Sequence, residues 1–306
     1  MAHSGSKKVI FAALAGNALI AVTKLGAAAV TGSSAMLSEG IHSLVDTGNQ
    51  ILLLVGLARS KRESDPGHPY GYGKEVYFWS FIVAILIFGL GAGISIYEGI
   101  IHIQHPAPME SVLVNYIVLA LAFVFEGAAW LFAFREFTRI RGRKNIAQAI
   151  HDSKDPTTFV VLFEDTAALA GIIVAFAGIG LSQATGQAWI DGAASIIIGV
   201  ILAGTAWLLA VETKDLLIGE AASPATIAGI RRLAGQMPGV ENINEVLTLH
   251  MGPEYILVNM SLDFEDRCTA DDIENEVSRL TRAIKAEWPR VKKVFVEAEK
   301  RKNPLV

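Results

Sequence analysis

His42 and Asp46 stand four residues apart in the stretch EGIHSLVDTGNQILLL, Glu39 to Leu54. On a helix that spacing stacks the two side chains on one face, about one turn from each other. An imidazole nitrogen and a carboxylate oxygen so arranged can hold one divalent cation, and a plain His to Asp hydrogen bond packing two helices is the other reading. A second acidic pair, Glu164 and Asp165, lies in TTFVVLFEDTAALAG. Both stretches are otherwise apolar, and an ionisable group at membrane depth costs about 2.5 to 3.5 kcal/mol on insertion scales and usually marks an ion pathway. With no arginine nearby, a cation is the natural compensating partner.

The elements that must position these groups are helices of bilayer length. The 306 residues are 52% apolar and 18% charged, with mean hydropathy +0.43, which is too greasy for an ordinary soluble protein. Six stretches are about as long as the 20 residues a helix needs to cross: Val9 to Val30, Ala35 to Leu57, Val76 to Ile101, Val112 to Phe134, Thr157 to Leu181 and Trp189 to Val211. The start can also be read as a cleaved signal peptide, but a retained first span keeps the count even and leaves Lys24 a place. Lys and Arg collect before span 1, between spans 2 and 3, and between spans 4 and 5, the last loop including Arg143, Lys144 and Lys154. The opposite loops have none, so both termini are expected in the cytoplasm. A net charge of −4 points to neither nucleic acid nor acidic lipid. Cys268 is the only cysteine, which excludes an intrachain disulfide and a thiolate cluster.

Depth tests whether the two pairs can meet. Asp46 lies thirteen residues before Arg59 and Asp165 eleven after Lys154, so they sit roughly 20 Å and 16 Å from the cytoplasmic side. They match within about one helical turn, and can face one another near the midplane. Lys24, seven residues before Thr31, is expected to snorkel outward, the alternative being a structural pair with a carboxylate. Glu126 either relays protons or balances Lys24. Glu98, Asp191 and Glu212 lie toward span ends, where solvation at the interface is the default. Asn17, Asn49 and Gln50 read as interhelical hydrogen-bonding groups.

Beyond Val211 the composition becomes polar and turn-rich. Pro224 and Thr226 open a helix with Ile227, Ile230 and Leu233 on one face, VLTLH and YILVNMSLDF read as strands around the turn MGPE, ADDIENEVSRLTRAIKAEW is an amphipathic helix and VKKVFVEAE a strand. The fold class expected is a polytopic α-helical membrane protein with a C-terminal cytoplasmic αββαβ, ferredoxin-like domain. The boundary is drawn between a transport domain, 1–215, and a dimerisation domain, 216–306.

The six spans, the His-x-x-x-Asp of span 2, the acidic residue of span 5 and the loop HPYGYGKE, His68 to Glu75, together resemble the cation diffusion facilitator family. TGSSAMLSEGIHSLVDTGNQ and LFEDTAALAG look most like its zinc transporter 9 branch. The resemblance covers essentially the whole chain. It implies a homodimer that exports a divalent metal, usually zinc, in exchange for protons. Two ligands fall on His42 and Asp46. Of two further ligands spaced four apart in span 5, Asp165 fills the second position, while the first falls on Val161, which cannot coordinate. Glu164 swings in as replacement, or water or Asn49 completes the shell; Glu164 and Asp165 diverge by about 100° around a helix. His68 keeps one imidazole of a loop site, but the residue four later is Tyr72. In the cytoplasmic domain Asn244, Asn259, Glu297 and Glu299 occupy the positions that align with metal-bridging histidines, and His250 and Cys268 are stray candidates, so dimerisation without tight metal binding is expected there.

The chemistry expected is reversible binding at His42, Asp46 and Asp165, with protons competing for the same lone pairs. No resident cofactor and no enzyme activity are expected. One imidazole with carboxylates suits zinc and tolerates manganese, iron, cobalt and nickel. The rivals are an intramembrane metal-dependent hydrolase, which lacks the second histidine of an H-E-x-x-H helix, and a metal sensor, which lacks cytoplasmic ligands. Residence in a bacterial inner (plasma) membrane is expected.

Overall fold

The computed structural model describes residues 3–106, 111–141 and 154–300. Six helices come first: α1 (His3–Thr31), α2 (Ser34–Ser60), α3 (Glu75–Gln104), α4 (Val112–Arg141), α5 (Pro156–Thr185) and α6 (Trp189–Ile218). Among the described residues, α2 to α6 each contain a window long and apolar enough to cross a membrane, and α1 contributes the shorter apolar run Gly16–Thr31. Arg143 and Lys144 of the basic loop lie outside the described residues. The outward faces are apolar, with Phe132 75% and Trp207 70% exposed, which suits lipid rather than water.

Interior packing is tight enough that some positions tolerate no side chain. A Cβ on Gly99 of α3 would stand 2.6 Å from the Gly192 carbonyl of α6, and one on Gly192 would stand 2.8 Å from the Gly99 carbonyl. The sequence pattern predicts one uninterrupted third helix. Instead Ile87–Ala92, IFGLGA, is a π-helical turn, in a stretch whose glycines weaken the α-helical preference.

One compact unit is built from the helix bundle up to Thr213; a second takes the chain from Lys214 together with the segment 59–77. The second unit holds α7 (Pro224–Gly235), β1 (Val240–Gly252), β2 (Tyr255–Phe264), α8 (Ala270–Glu287) and β3 (Val291–Ala298), the αββαβ order the sequence predicts. Ser223 caps α7 with Pro224 in its first turn. Thr269 and Asp272 cap α8 reciprocally, a closer role for Asp272 than the dipole alone suggests. β2 is central, antiparallel to β1 and parallel to β3. Its alternation buries Ile256, Val258, Met260 and Leu262 against Ile230, Leu280 and Ile284 of the helices, while Asn259 faces out.

Candidate functional site

The polar residues of α2 share a spacing of three and four, so they line one helix face. Glu39, His42, Ser43 and Asn49 are buried, while Leu44 and Ile51 are exposed. The amphipathicity is therefore inverted, polar inward and apolar outward, as a helix bundle in lipid requires when it keeps ionisable groups. The N-terminus of α2 is fixed from α6. The Asp191 carboxylate accepts hydrogen bonds from Ser33 Oγ at 2.8 Å and from the backbone N–H of Ser34 at 2.6 Å and of Ala35 at 3.3 Å. Asp191 is fully buried. It is not solvated by water as expected, because the free N–H groups and positive dipole end of α2 take the place of water.

His42 and Asp46 are brought together, Nδ1 to Oδ1 at 3.4 Å, with side chains 1% and 15% exposed. The pair makes no hydrogen bond at that separation and orientation, and both ring nitrogens and Asp46 Oδ1 are buried without a hydrogen-bond partner. Glu164 reaches α2 from α5 through Asn49, whose Nδ2 donates to Glu164 Oε1 at 2.7 Å. Asp46 feels the charges of Glu164, Glu126 and Asp165. Glu164 is buried, and Asp165 and Val161 are half-buried on a helix that is regular throughout. Among the described residues no three His, Cys, Asp or Glu side chains converge on one ion-sized point. The α2 face and the acids of α5 are joined through Asn49 and Glu164, with Asp46 in the field of both acids.

Lys24 departs from the sequence expectation. Its ammonium does not snorkel; it is fully buried and donates to Glu39 Oε2, Ser43 Oγ and Glu126 Oε1 at 2.9, 3.0 and 2.8 Å. Position along a helix gives depth but not azimuth, and the azimuth of Lys24 faces α2 and α4. Glu126 thus takes the balancing role of its two readings. Glu39 has no assigned role in the sequence, although it shares the face of His42 three residues on.

In the loop, His68 Nδ1 lies 3.4 Å from Asp65 Oδ1, its ring packs tilted by 33° against Tyr72 with centroids 4.2 Å apart, and Tyr72 Oη donates to Asp65 Oδ2 at 2.6 Å. That phenol and the His68 backbone N–H hold the Asp65 carboxyl below the usual range. Tyr72 therefore occupies the carboxylate that a metal at His68 would share. In the sheet unit, Asn244 Nδ2 donates to Ser261 Oγ at 3.1 Å and to the Glu299 carbonyl at 2.9 Å, and Ser261 Oγ donates to Glu299 Oε2 at 2.9 Å.

A profile described as the cation efflux transmembrane domain matches residues 10–218. The proton-coupled zinc antiporter SLC30A9, mitochondrial, of Xenopus laevis is 38% identical over 87% of this chain and 48% of its own length. The metal tolerance protein C4 of Arabidopsis thaliana is 30% identical over 96% of this chain and 63% of its own length. The chain thus spans about half the length of the first of these relatives and somewhat more of the second. A solved MamM CTD in a nickel form covers 26% of this chain at 21% identity with a TM-score of 0.24.

Proposed function

Because the chain belongs to the cation efflux family, we propose that it exports divalent metal cations, zinc first among them, in exchange for protons by alternating access. One observation carries the reading: a buried imidazole and carboxylate on an inward helix face, with both ring nitrogens and one carboxylate oxygen left without a hydrogen-bond partner in the protein. His42 and Asp46 form the fixed half of the site. Asp165 and Glu164 form the half that closes on the cargo, with Asn49 holding Glu164 until then. A divalent ion entering from the cytoplasm cancels the repulsion that keeps the acids apart; protons arriving from the other side take the same lone pairs and free it. Zinc is favoured by the single imidazole among carboxylates and by the name of the SLC30A9 relative, a zinc antiporter.

Charge asymmetry of the loops supports cytoplasmic termini. The proposal divides the labour near residue 215, transport before it and homodimerisation through 216–306. A bacterial inner membrane gets no support from a relative named as mitochondrial; the residence proposed is any membrane that maintains a proton gradient. The hydrolase alternative finds no support among relatives named as transporters and tolerance proteins. The test is zinc flux in sealed proteoliposomes under an imposed pH gradient. Asp46→Ala and Asp165→Ala variants that insert normally should lose exchange, and parental rates in both would overturn the assignment.

A further inference from the structure

Beside the site lies a second buried cluster, which carries the opposite charge into it. Lys24 of α1 uses all three ammonium protons, on Glu39, Ser43 and Glu126. Glu39 is positioned by packing, since its second oxygen occupies the space a Cβ on Gly171 of α5 would need. Glu126, like Glu39, bonds Lys24 through one oxygen and leaves the other buried without a hydrogen-bond partner, and its charge acts on both Asp46 and Asp165. The charge of Lys24 itself reaches His42 and Asp46. An ammonium is thus tethered to a carboxylate whose field the proposed metal ligands feel, and all its donors are engaged.

Resting on the transport reading above, we infer that Lys24 sets the affinity of the cation site, acting as a fixed positive charge that weakens the hold on divalent cargo so that it can leave. A unit charge repels a divalent ion twice as strongly as it repels a proton at the same place. Among the described residues the neighbourhood holds the acids Glu39, Asp46, Glu126, Glu164 and Asp165 against this one lysine. Without Lys24 that excess would bind zinc tightly and release it slowly. Lys24 is a positioning residue in this account, holding Glu126 and acting through the field, never as a ligand.

A purely structural lysine would also tie α1, α2 and α4 together, so the test turns on the sign of the change. Full-length protein in proteoliposomes would be assayed for zinc KM and maximal flux, and in detergent for equilibrium zinc binding. Lys24→Gln keeps donors but loses charge, and should lower KM and Kd about tenfold while lowering maximal flux in parallel. Lys24→Arg should keep parental values. Glu39→Gln leaves Lys24 bonded to Glu126 and Ser43 with less compensation, and should raise KM about threefold or more. An unchanged or raised KM in Lys24→Gln, or a lowered or unchanged one in Glu39→Gln, overturns the inference; if Lys24→Gln does not insert, the Glu39→Gln arm decides. A parental protein that binds zinc but moves none would sink the transport reading instead, leaving the binding arm to judge Lys24.

Discussion

Two polar networks in this molecule use similar side chains to opposite ends. In the sheet unit, Asn242, Asn244, Ser261 and Glu299 bond to one another in a closed chain. In the bundle, His42, Asp46 and Asn49 each retain a buried atom with no partner. The first is partly buried and fully paired, while the second is buried and unmet, so the second arrangement is the costly one, because leaving a buried donor or acceptor unmet costs about 1–3 kcal/mol. The difference separates a network that holds a fold from one whose open atoms suit the passing ion of the proposed transport. At the positions where the family resemblance leads one to expect metal-bridging histidines, Asn244 spends its donors on Ser261 and the Glu299 backbone carbonyl, and the Glu299 carboxylate accepts from Ser261.

The comparison is broken most severely by closing the open network. His42→Leu removes both unmet ring nitrogens while keeping bulk. Zinc exchange should fall by more than the roughly 10- to 100-fold that loss of an outer partner brings, with insertion and the sheet unit unaffected. Flux and zinc titration check this together. Near-parental exchange would mean that His42 is only a packing residue.

Filling the gap in the site works in the other direction. Val161→His restores a donor one turn before Asp165, so zinc should bind about tenfold more tightly and leave more slowly. Zinc titration together with maximal flux reads both halves of that expectation. Weaker binding would show that position 161 does not face the cargo.

These expectations rest on what the sequence made visible. Polar residues inside apolar stretches stand out, so His42, Asp46, Glu164 and Asp165 could be chosen, and the period-two pattern of YILVNMSLDF marked the central strand. Lys24 and Asp191 were misplaced because linear depth says nothing of the direction a side chain faces. Lys24 turns inward to Glu39 and Glu126, and Asp191 is drawn to a helix N-terminus distant in sequence. The π turn at Ile87–Ala92 has no counterpart in the hydropathy pattern, which is equally satisfied by an α-helix. The departures at Lys24 and Asp191 concern three-dimensional pairing, and that at Ile87–Ala92 concerns the type of helical turn.

Opening the closed network should cost stability and little else. Asn244→Leu strips Ser261 and the Glu299 carbonyl of a donor, for an expected loss of about 1–2 kcal/mol. Thermal unfolding of the sheet unit within the full-length protein, followed by intrinsic-rate-corrected hydrogen exchange on β1 and β2, measures it. Zinc KM should not move. A shifted KM would couple the two networks and undo the contrast drawn between them.

The smallest effect is one of pH, and it separates the sheet unit from the bundle. His250 of β1 is buried, and its Nδ1 has no hydrogen-bond partner. Burial first, and then the charge of Lys154, push its pKa below the ordinary histidine value. The folded unit therefore keeps His250 neutral where the unfolded chain already takes a proton. Above about pH 6.5 both forms are neutral and nothing is lost; as pH falls from there toward the depressed folded value, stability declines. Exchange protection of the β1 amides, corrected for intrinsic rates, should accordingly drop between pH 7.5 and 5.5, and His250→Gln should flatten that slope. A slope that survives the substitution would assign the acid sensitivity to another group. Because no cargo ligand lies on β1, the zinc KM of His250→Gln should follow the parental pH profile even as the stability profile departs from it.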